Sequence, residues 1–259
     1  MSFAVRDRRF DSGTHVMGII NVTPDSFFAA SRAAADEAAE RAVMMVRDGA
    51  AIIDIGAQSI RPGAREVSSL EEMSLLLPAL EKVRAATDAP ISVDTFYPEV
   101  AEAALAAGAD MINDVSCLRF PGMAETAARY GASICIMHDR RGSKVKDLMT
   151  DKLTGLSAAV RKALRAGVSA EKILLDGGIG FNLSREEDIF LAEHYDLLSA
   201  AGYPLLMGAS RKSFLGGEPE TRLTATLECT VRAARMGVLF VRVHDVKENV
   251  LAIKTALAR

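Results

Sequence analysis

The stretch PLLMGASRKSFLGG, Pro204 to Gly217, decides how the rest of the chain is read. Leu205 to Met207 is a short apolar run, closed by Gly208, that gives way to Ser210, Arg211, Lys212 and Ser213 and then to a glycine pair. That order describes a buried strand breaking into a polar turn. Ser210 or Ser213 could cap a following helix, whose free backbone N–H groups attract anions, and Lys212 adds a compact cation with three donors. A seat for an anionic or carbonyl-bearing ligand fits the stretch; so does a solvated loop carrying ordinary surface charge.

The same strand-then-helix alternation runs through the chain. Apolar runs rich in Val, Ile and Leu predict strands at Val16–Asn21, Ala51–Ile55, Ile91–Asp94, Met111–Val115, Ser133–Met137, Ile173–Leu175, Leu205–Met207 and Val238–Val243. Such runs are typical of parallel strands buried on both faces. Helices are predicted between them at Ala33–Asp48, Leu70–Ala86, Pro98–Ala107, Met123–Tyr130, Leu153–Ala166, Arg185–Leu198, Arg222–Met236 and Val246–Leu257. Gly49, Gly108, Gly167 and Gly202 stand where several of them should end. Eight such units in 259 residues match a single-domain α/β chain folded as a (β/α)8 TIM barrel spanning residues 1–259. A doubly wound open sheet is the alternative, because periodicity does not reveal strand order. No glycine-rich dinucleotide fingerprint follows the first strand, which disfavours a Rossmann enzyme.

Composition narrows the function classes. A hydrophobic content of 49% supports a large core, and a net charge of −3 gives no basis for generic nucleic-acid binding. Cys117, Cys135 and Cys229 are odd in number and lack CxxC spacing, so a reducing cytoplasm fits better than a disulfide framework. The N-terminus has no apolar signal region, and no apolar run approaches the span of a bilayer.

Polar residues collect at the predicted strand ends: Asn21, Asp54, Asp94, Asn113, Asp114, His138, Asp176, Arg242 and His244. In a barrel those ends converge on one mouth. Carboxylates there cost stability unless paired or solvated, so a shared ligand explains the set better than folding alone. Individually each has a plainer role. Asp54 and Asp114 could be turn residues or loop anchors, His138 a satisfied structural histidine, and Asp94 a helix cap. Asp94, Asn113 and Asp176 together suit a flat heterocycle with ring N–H, amino and carbonyl groups, with Lys212 on the carbonyl. Arg242 could stack on that ring, and His244, two residues along, could reach an anionic tail completed by Asn21 and Arg61, with a metal ion between Asn21 and phosphate. No zinc-type cluster and no GxSxG elbow is present in the sequence.

The blocks MGIINVTPDSF (17–27), DIGAQSIRPGA (54–64), SVDT (92–95), INDVS (112–116), MH (137–138), LDGGIGF (175–181), GASRKSFLG (208–216) and RVHDV (242–246) resemble dihydropteroate synthase, the pterin-binding enzyme family, in that family's order. The resemblance implies a (β/α)8 barrel condensing 6-hydroxymethyl-7,8-dihydropterin pyrophosphate with 4-aminobenzoate to give 7,8-dihydropteroate and pyrophosphate in folate biosynthesis. It implies a pterin site of Asp94, Asn113, Val115, Met137, Asp176, Phe181, Gly208, Lys212 and Arg242. Asn21, Arg61, Arg242 and His244 would meet pyrophosphate, with Mg²⁺ beside Asn21. Ser213, Lys212 and Pro62 would meet aminobenzoate, and Lys212, Arg242, His244 and Arg61 would carry catalysis. A homodimer is also implied.

Several positions depart from the family pattern. Ala29 replaces an acidic residue, Gln58 a Glu, Ile60 a Thr and Gly177 the proline of a DPG step; Asn182 and Leu183 stand for a Gly-Lys pair, and Ala225 for a Gly. A synthase, a pterin-binding paralogue without synthase activity, and a pterin-dependent methyltransferase are the three functions these residues leave open.

Overall fold

Inward-facing residues show how the chain closes. Met17, Ile52, Met111, Cys135, Leu174, Leu206 and Phe240 form one buried apolar cluster, although they come from widely separated segments. Each belongs to a strand of a closed parallel barrel in the computed structural model, which describes residues 2–22, 28–58 and 67–258, without the side chains of 28–33. The barrel strands are β3 (His15–Asn21), β4 (Ala50–Gly56), β5 (Ile91–Asp94), β6 (Met111–Asp114), β7 (Ser133–Met137), β8 (Ile173–Asp176), β9 (Leu205–Met207) and β10 (Phe240–Val243). They are ordered as in the chain, and β10 pairs back to β3 with Phe240 opposite His15. The open-sheet alternative is therefore excluded.

Helices α1 (Phe28–Arg47), α2 (Ser69–Ala86), α3 (Pro98–Ala106), α4 (Met123–Arg129), α5 (Leu148–Ala166), α6 (Arg185–Glu193), α7 (Leu223–Arg235) and α8 (Val246–Leu257) follow the successive barrel strands. The outward strand residues, among them Ile53, Ile55, Val93, Ile112 and Ile134, share a second buried cluster with Leu76, Leu80, Val100 and Leu156 of the helices. Local sequence sets the helix ends. Ser68 and Asp147 accept from Glu71 N and Thr150 N, and Ser184 with Glu187 makes a capping box that starts α6. Gly49, Gly108, Gly167 and Gly202 all have positive φ, as expected of helix-ending glycines.

The structure corrects the sequence reading at several places. A hairpin of β1 (Phe3–Val5) and β2 (Arg8–Phe10) precedes the barrel; three-residue strands are too short for periodicity to reveal. Phe3 and Phe10 meet Phe240 edge-on at 5.7 and 5.0 Å, plugging the end of the barrel away from the polar strand ends. The helix expected over Arg185–Leu198 ends at Glu193 and resumes as a 3-10 segment, Tyr195–Ala201, which buries Tyr195. The helix expected to be capped by Ser210 or Ser213 is replaced by a three-residue 3-10 turn, Ser213–Leu215, with no side-chain cap, so no helical anion seat exists there. Glycines at 216 and 217, both at positive φ, stop the turn from extending.

Candidate active site

Side chains alternate along a strand, so the residue two positions beyond each apolar plug residue also faces inward, one layer nearer the mouth. From Ile52, Met111, Cys135, Leu174, Leu206 and Phe240 this step leads to Asp54, Asn113, Met137, Asp176, Gly208 and Arg242. With Met17 leading to Ile19, the layer above the apolar plug mixes apolar residues with Asp54, Asn113, Asp176 and Arg242.

Arg242 occupies the centre of that layer. Its Nε donates to Asp54 Oδ2 at 2.6 Å, and one terminal nitrogen donates to Asp94 Oδ2 at 2.7 Å. Asn113 Nδ2 reaches the same Asp54 oxygen at 3.3 Å. Asp54 is completely buried, while Asp54 Oδ1 and the neighbouring Ser92 hydroxyl lack hydrogen-bond partners among the described residues. Asp54 is therefore an anchor for Arg242 and Asn113. Burial works against the Arg242 charge, but Asp54 and Asp94 outweigh it and hold its pKa above the ordinary value. Burial lifts Asp94 to about 7, against the pull of Arg242. Gly56 leaves room for that carboxylate, since a Cβ there would lie 3.2 Å from the Asp94 Cβ.

Asp176 stands on the adjoining part of the rim. Its Oδ1 accepts from Gly178 N at 2.7 Å and faces the Tyr195 hydroxyl at 2.9 Å. Lys212 bonds the Ile179 carbonyl and lies 4.3 Å above the Phe181 ring. Burial lowers its pKa to about 8, opposed chiefly by Asp176. Gly180, at positive φ, leaves room beside it: a Cβ there would come 2.7 Å from Lys212 Cδ. Met137 is buried, Phe181 half-buried, and Gly208 has no side chain where a Cβ would lie 3.6 Å from Asp176 Oδ2. The expected ring-binding residues thus gather at one mouth. Val115 belongs to the turn after β6 and is half-buried.

His244 lies one residue past β10 and faces Ser210: Nδ1 and Ser210 Oγ are 3.0 Å apart, and the His244 N–H donates to the same hydroxyl oxygen at 3.2 Å. Ser210 Oγ thus touches both the ring and the backbone of His244, and the tautomer of the imidazole decides which of Nδ1 and Oγ donates in the ring contact. Burial, then Arg242 and Arg211, lower the His244 pKa to about 4. Asn21 is exposed at the end of β3, and Ser213 is exposed in the 3-10 turn. Arg61, Pro62 and Ile60 lie outside the described residues, as does the side chain of Ala29.

Other expectations resolve differently. Asp114, the last residue of β6, anchors the turn that follows, accepting from Ser116 N, Ser116 Oγ and Leu118 N. His138 Nε2 meets Asp151 at 3.3 Å, while its buried Nδ1 has no partner among the described residues. Gln58 donates to Val67 O at 3.2 Å and to the buried Glu72 carboxylate at 3.0 Å. Both partners are acceptors, so an amide suits position 58 where a second carboxylate would repel Glu72. Tyr195 and the buried Lys152, whose Nζ donates to His138 O at 2.7 Å, support the site and carry no sequence signal at their positions, whereas Ser210, expected as a helix cap, instead meets His244.

This constellation has clear relatives. The family model "Pterin binding enzyme" matches residues 17–244. The chain is 43% identical to the dihydropteroate synthase of Synechocystis, covering 95% of this chain and 91% of that protein. Among solved structures, the Clostridium difficile dihydropteroate synthase determined with pteroic acid superposes with a TM-score of 0.91 at 42% identity, covering 96% and 98% of the two chains. The Xanthomonas albilineans dihydropteroate synthase with 4-aminobenzoic acid gives 0.89 at 37%, covering 95% and 93%. The chain belongs to the pterin-binding enzyme family, within its dihydropteroate synthase branch.

Proposed function

We infer that this protein is a transferase of folate biosynthesis that joins 6-hydroxymethyl-7,8-dihydropterin pyrophosphate to 4-aminobenzoate, releasing pyrophosphate. The observation that carries this is the gathering of Asp94, Asn113, Asp176, Lys212 and Arg242 at one barrel mouth, with His244 beside them. Asp94, Asn113 and Asp176 offer acceptors and an amide to the pterin edge, and Lys212 meets the ring carbonyl. Met137, Phe181, Val115 and Gly208 form the less polar surround. Asp176 Oδ2 and Arg242 Nη1 make no hydrogen bonds among the described residues, so both are open to a ligand.

The reaction breaks the C–O bond to pyrophosphate and forms a C–N bond to the arylamine, which then loses a proton. A buried cationic Arg242 stabilises the departing charge, with His244, Asn21 and Arg61 completing that end. Ser213, Lys212 and Pro62 are assigned to aminobenzoate, and positioning its amine against the electron-poor methylene supplies the rest.

Mg²⁺ suits this site through Asn21. Its exposed amide makes no hydrogen bond among the described residues, and Mg²⁺ commonly takes one or two protein oxygens together with phosphate and water. When bound, it would neutralise charge on the pyrophosphate. No group of three metal-ligating His, Cys, Asp or Glu occurs among the described residues, in keeping with a metal held largely by substrate.

A homodimer through α7 and α8 is part of the same reading. Leu227 and Val231 of α7 and Leu251 and Ala252 of α8 line one groove, and Leu251 is 65% exposed. Light scattering should give twice the chain mass, and Leu251→Glu should lower it. Among the described residues no helix is long and apolar enough to cross a membrane, and the free cysteines suit the cytoplasm.

Purified protein with Mg²⁺ and dihydropterin pyrophosphate should release pyrophosphate when 4-aminobenzoate is added and form 7,8-dihydropteroate. Pterin binding without amine-dependent release would contradict the reading.

A further inference from the structure

Asp176 is held from behind by a residue that no expected role explains. Tyr195 is fully buried, and its hydroxyl oxygen accepts from Gly177 N at 2.7 Å. The same oxygen lies 2.6 Å from Leu206 O and 2.9 Å from Asp176 Oδ1. A phenol carries one proton, so these two acceptors share it. Burial and then the Asp176 charge raise the Tyr195 pKa well above its ordinary value, which keeps that proton in place at neutral pH.

The partners come from three places: Leu206 from β9, Asp176 from the end of β8, and Gly177 from the turn that follows. One buried hydroxyl therefore ties adjacent barrel strands to the turn at the mouth. Oδ1 of Asp176 is occupied by Tyr195 and Gly178 N, which leaves Oδ2, on the Gly208 side, for a ligand.

Gly177 is matched to this tyrosine. A Cβ at 177 would lie 2.6 Å from Leu198 Cδ1 and 3.0 Å from Tyr195 Cε2, and the glycine N–H is the donor that Tyr195 accepts. A proline there would supply neither the space nor the donor. The pair thus gives a physical account of Gly177 in a place where the resemblance leads one to expect proline.

We propose that Tyr195, together with Gly177, is a positioning residue for pterin binding: it fixes the Asp176 carboxylate so that Oδ2 faces the ring. This rests on the function inferred above. The test is calorimetric titration of dihydropterin pyrophosphate into wild type, Tyr195→Phe, Asp176→Asn and the double variant, with thermal melts and the KM for 4-aminobenzoate. Tyr195→Phe should weaken pterin affinity about three- to tenfold, as for loss of one buried hydrogen bond, and leave the aminobenzoate KM unchanged. In the Asp176→Asn background it should cost nothing further, because both changes act on one contact.

Unchanged affinity in Tyr195→Phe would overturn the proposal, and so would an equal loss in both backgrounds, since a merely structural role is additive. Should Tyr195→Phe fail to fold, Gly177→Ala displaces the ring while keeping the hydroxyl. It is expected to weaken pterin binding only when Asp176 is intact; the same loss with Asp176→Asn would refute the idea. A wild type that does not bind the pterin would defeat the proposed function itself, and this inference with it.

Discussion

Arg242 donates to Asp94 across 2.7 Å, in a pair whose side chains are each only 13% exposed. With Asp54 on the other branch of the guanidinium, the contact makes Arg242 a planar bridge between two strand-end carboxylates. The expected stacking of Arg242 on the pterin is thus joined by a second task, which is to hold the carboxylates apart and oriented.

Arg242→Lys is expected to fail in both tasks. An ammonium is a point donor on a flexible stem and cannot bridge Asp54 and Asp94 as a plane. Leaving one of those buried carboxylates without its partner should cost about 3–5 kcal/mol of stability. Chemical denaturation and steady-state kinetics check this; a variant with wild-type stability and kcat/KM would remove the bridging role.

Asp94 should make pterin binding depend on pH. Its folded pKa of about 7 exceeds the ordinary 3.8, so the folded state holds the extra proton between those values. Its contribution to stability is fully present below that lower value and is lost as pH rises through about 7. Pterin N–H donors need the ionised carboxylate, so binding should strengthen over the same rise and release a proton below about pH 7. Calorimetry in two buffers of different ionisation enthalpy reads that proton directly; affinity independent of pH from 5 to 8 would count against Asp94 as an acceptor for the ring.

Ser210→Ala should act at the pyrophosphate end. It removes the group that contacts His244 Nδ1 and accepts the His244 backbone N–H, contacts of 3.0 and 3.2 Å. The expected effect is about 1 kcal/mol per lost hydrogen bond, seen as a raised KM for the pterin pyrophosphate with the aminobenzoate KM unchanged. The opposite split would place His244 at the other substrate.

Gln58→Glu tests the amide between Val67 and Glu72. Burial already raises the Glu72 pKa, and a second carboxylate would raise it further, so that one of the two keeps a proton at lower pH and repulsion sets in as both ionise. The variant should be about as stable as wild type near pH 5 and less stable by about 1–3 kcal/mol at pH 8. Equal melting temperatures at both pH values would show that the Gln58–Glu72 contact contributes little.

Much of this was legible in the chain because barrel strands are local signals. Apolar runs such as Ile173–Leu175 are buried on both faces, and polar residues at the strand ends, such as Asp176, mark the mouth. Asp94, Asn113, Asp176 and Arg242 are legible for that reason, and Lys212 from the polar turn that follows Leu205–Met207. Tyr195 is not, since a buried tyrosine looks like core, and Ser210 reads as a helix cap although its partner is His244. Their roles depend on partners far along the chain, Asp176 and His244, which only closure of the barrel brings near. The β1–β2 hairpin was missed because its strands are too short to establish a period.

The central claim is that the polar layer above the apolar plug is a pterin site. Crystals soaked with pteroic acid should show the pterin ring bounded by Asp94, Asn113, Asp176 and Lys212, with the aminobenzoate portion leading toward Ser213. Electron density for the ring anywhere outside that mouth, with the four side chains left unliganded, would contradict the account.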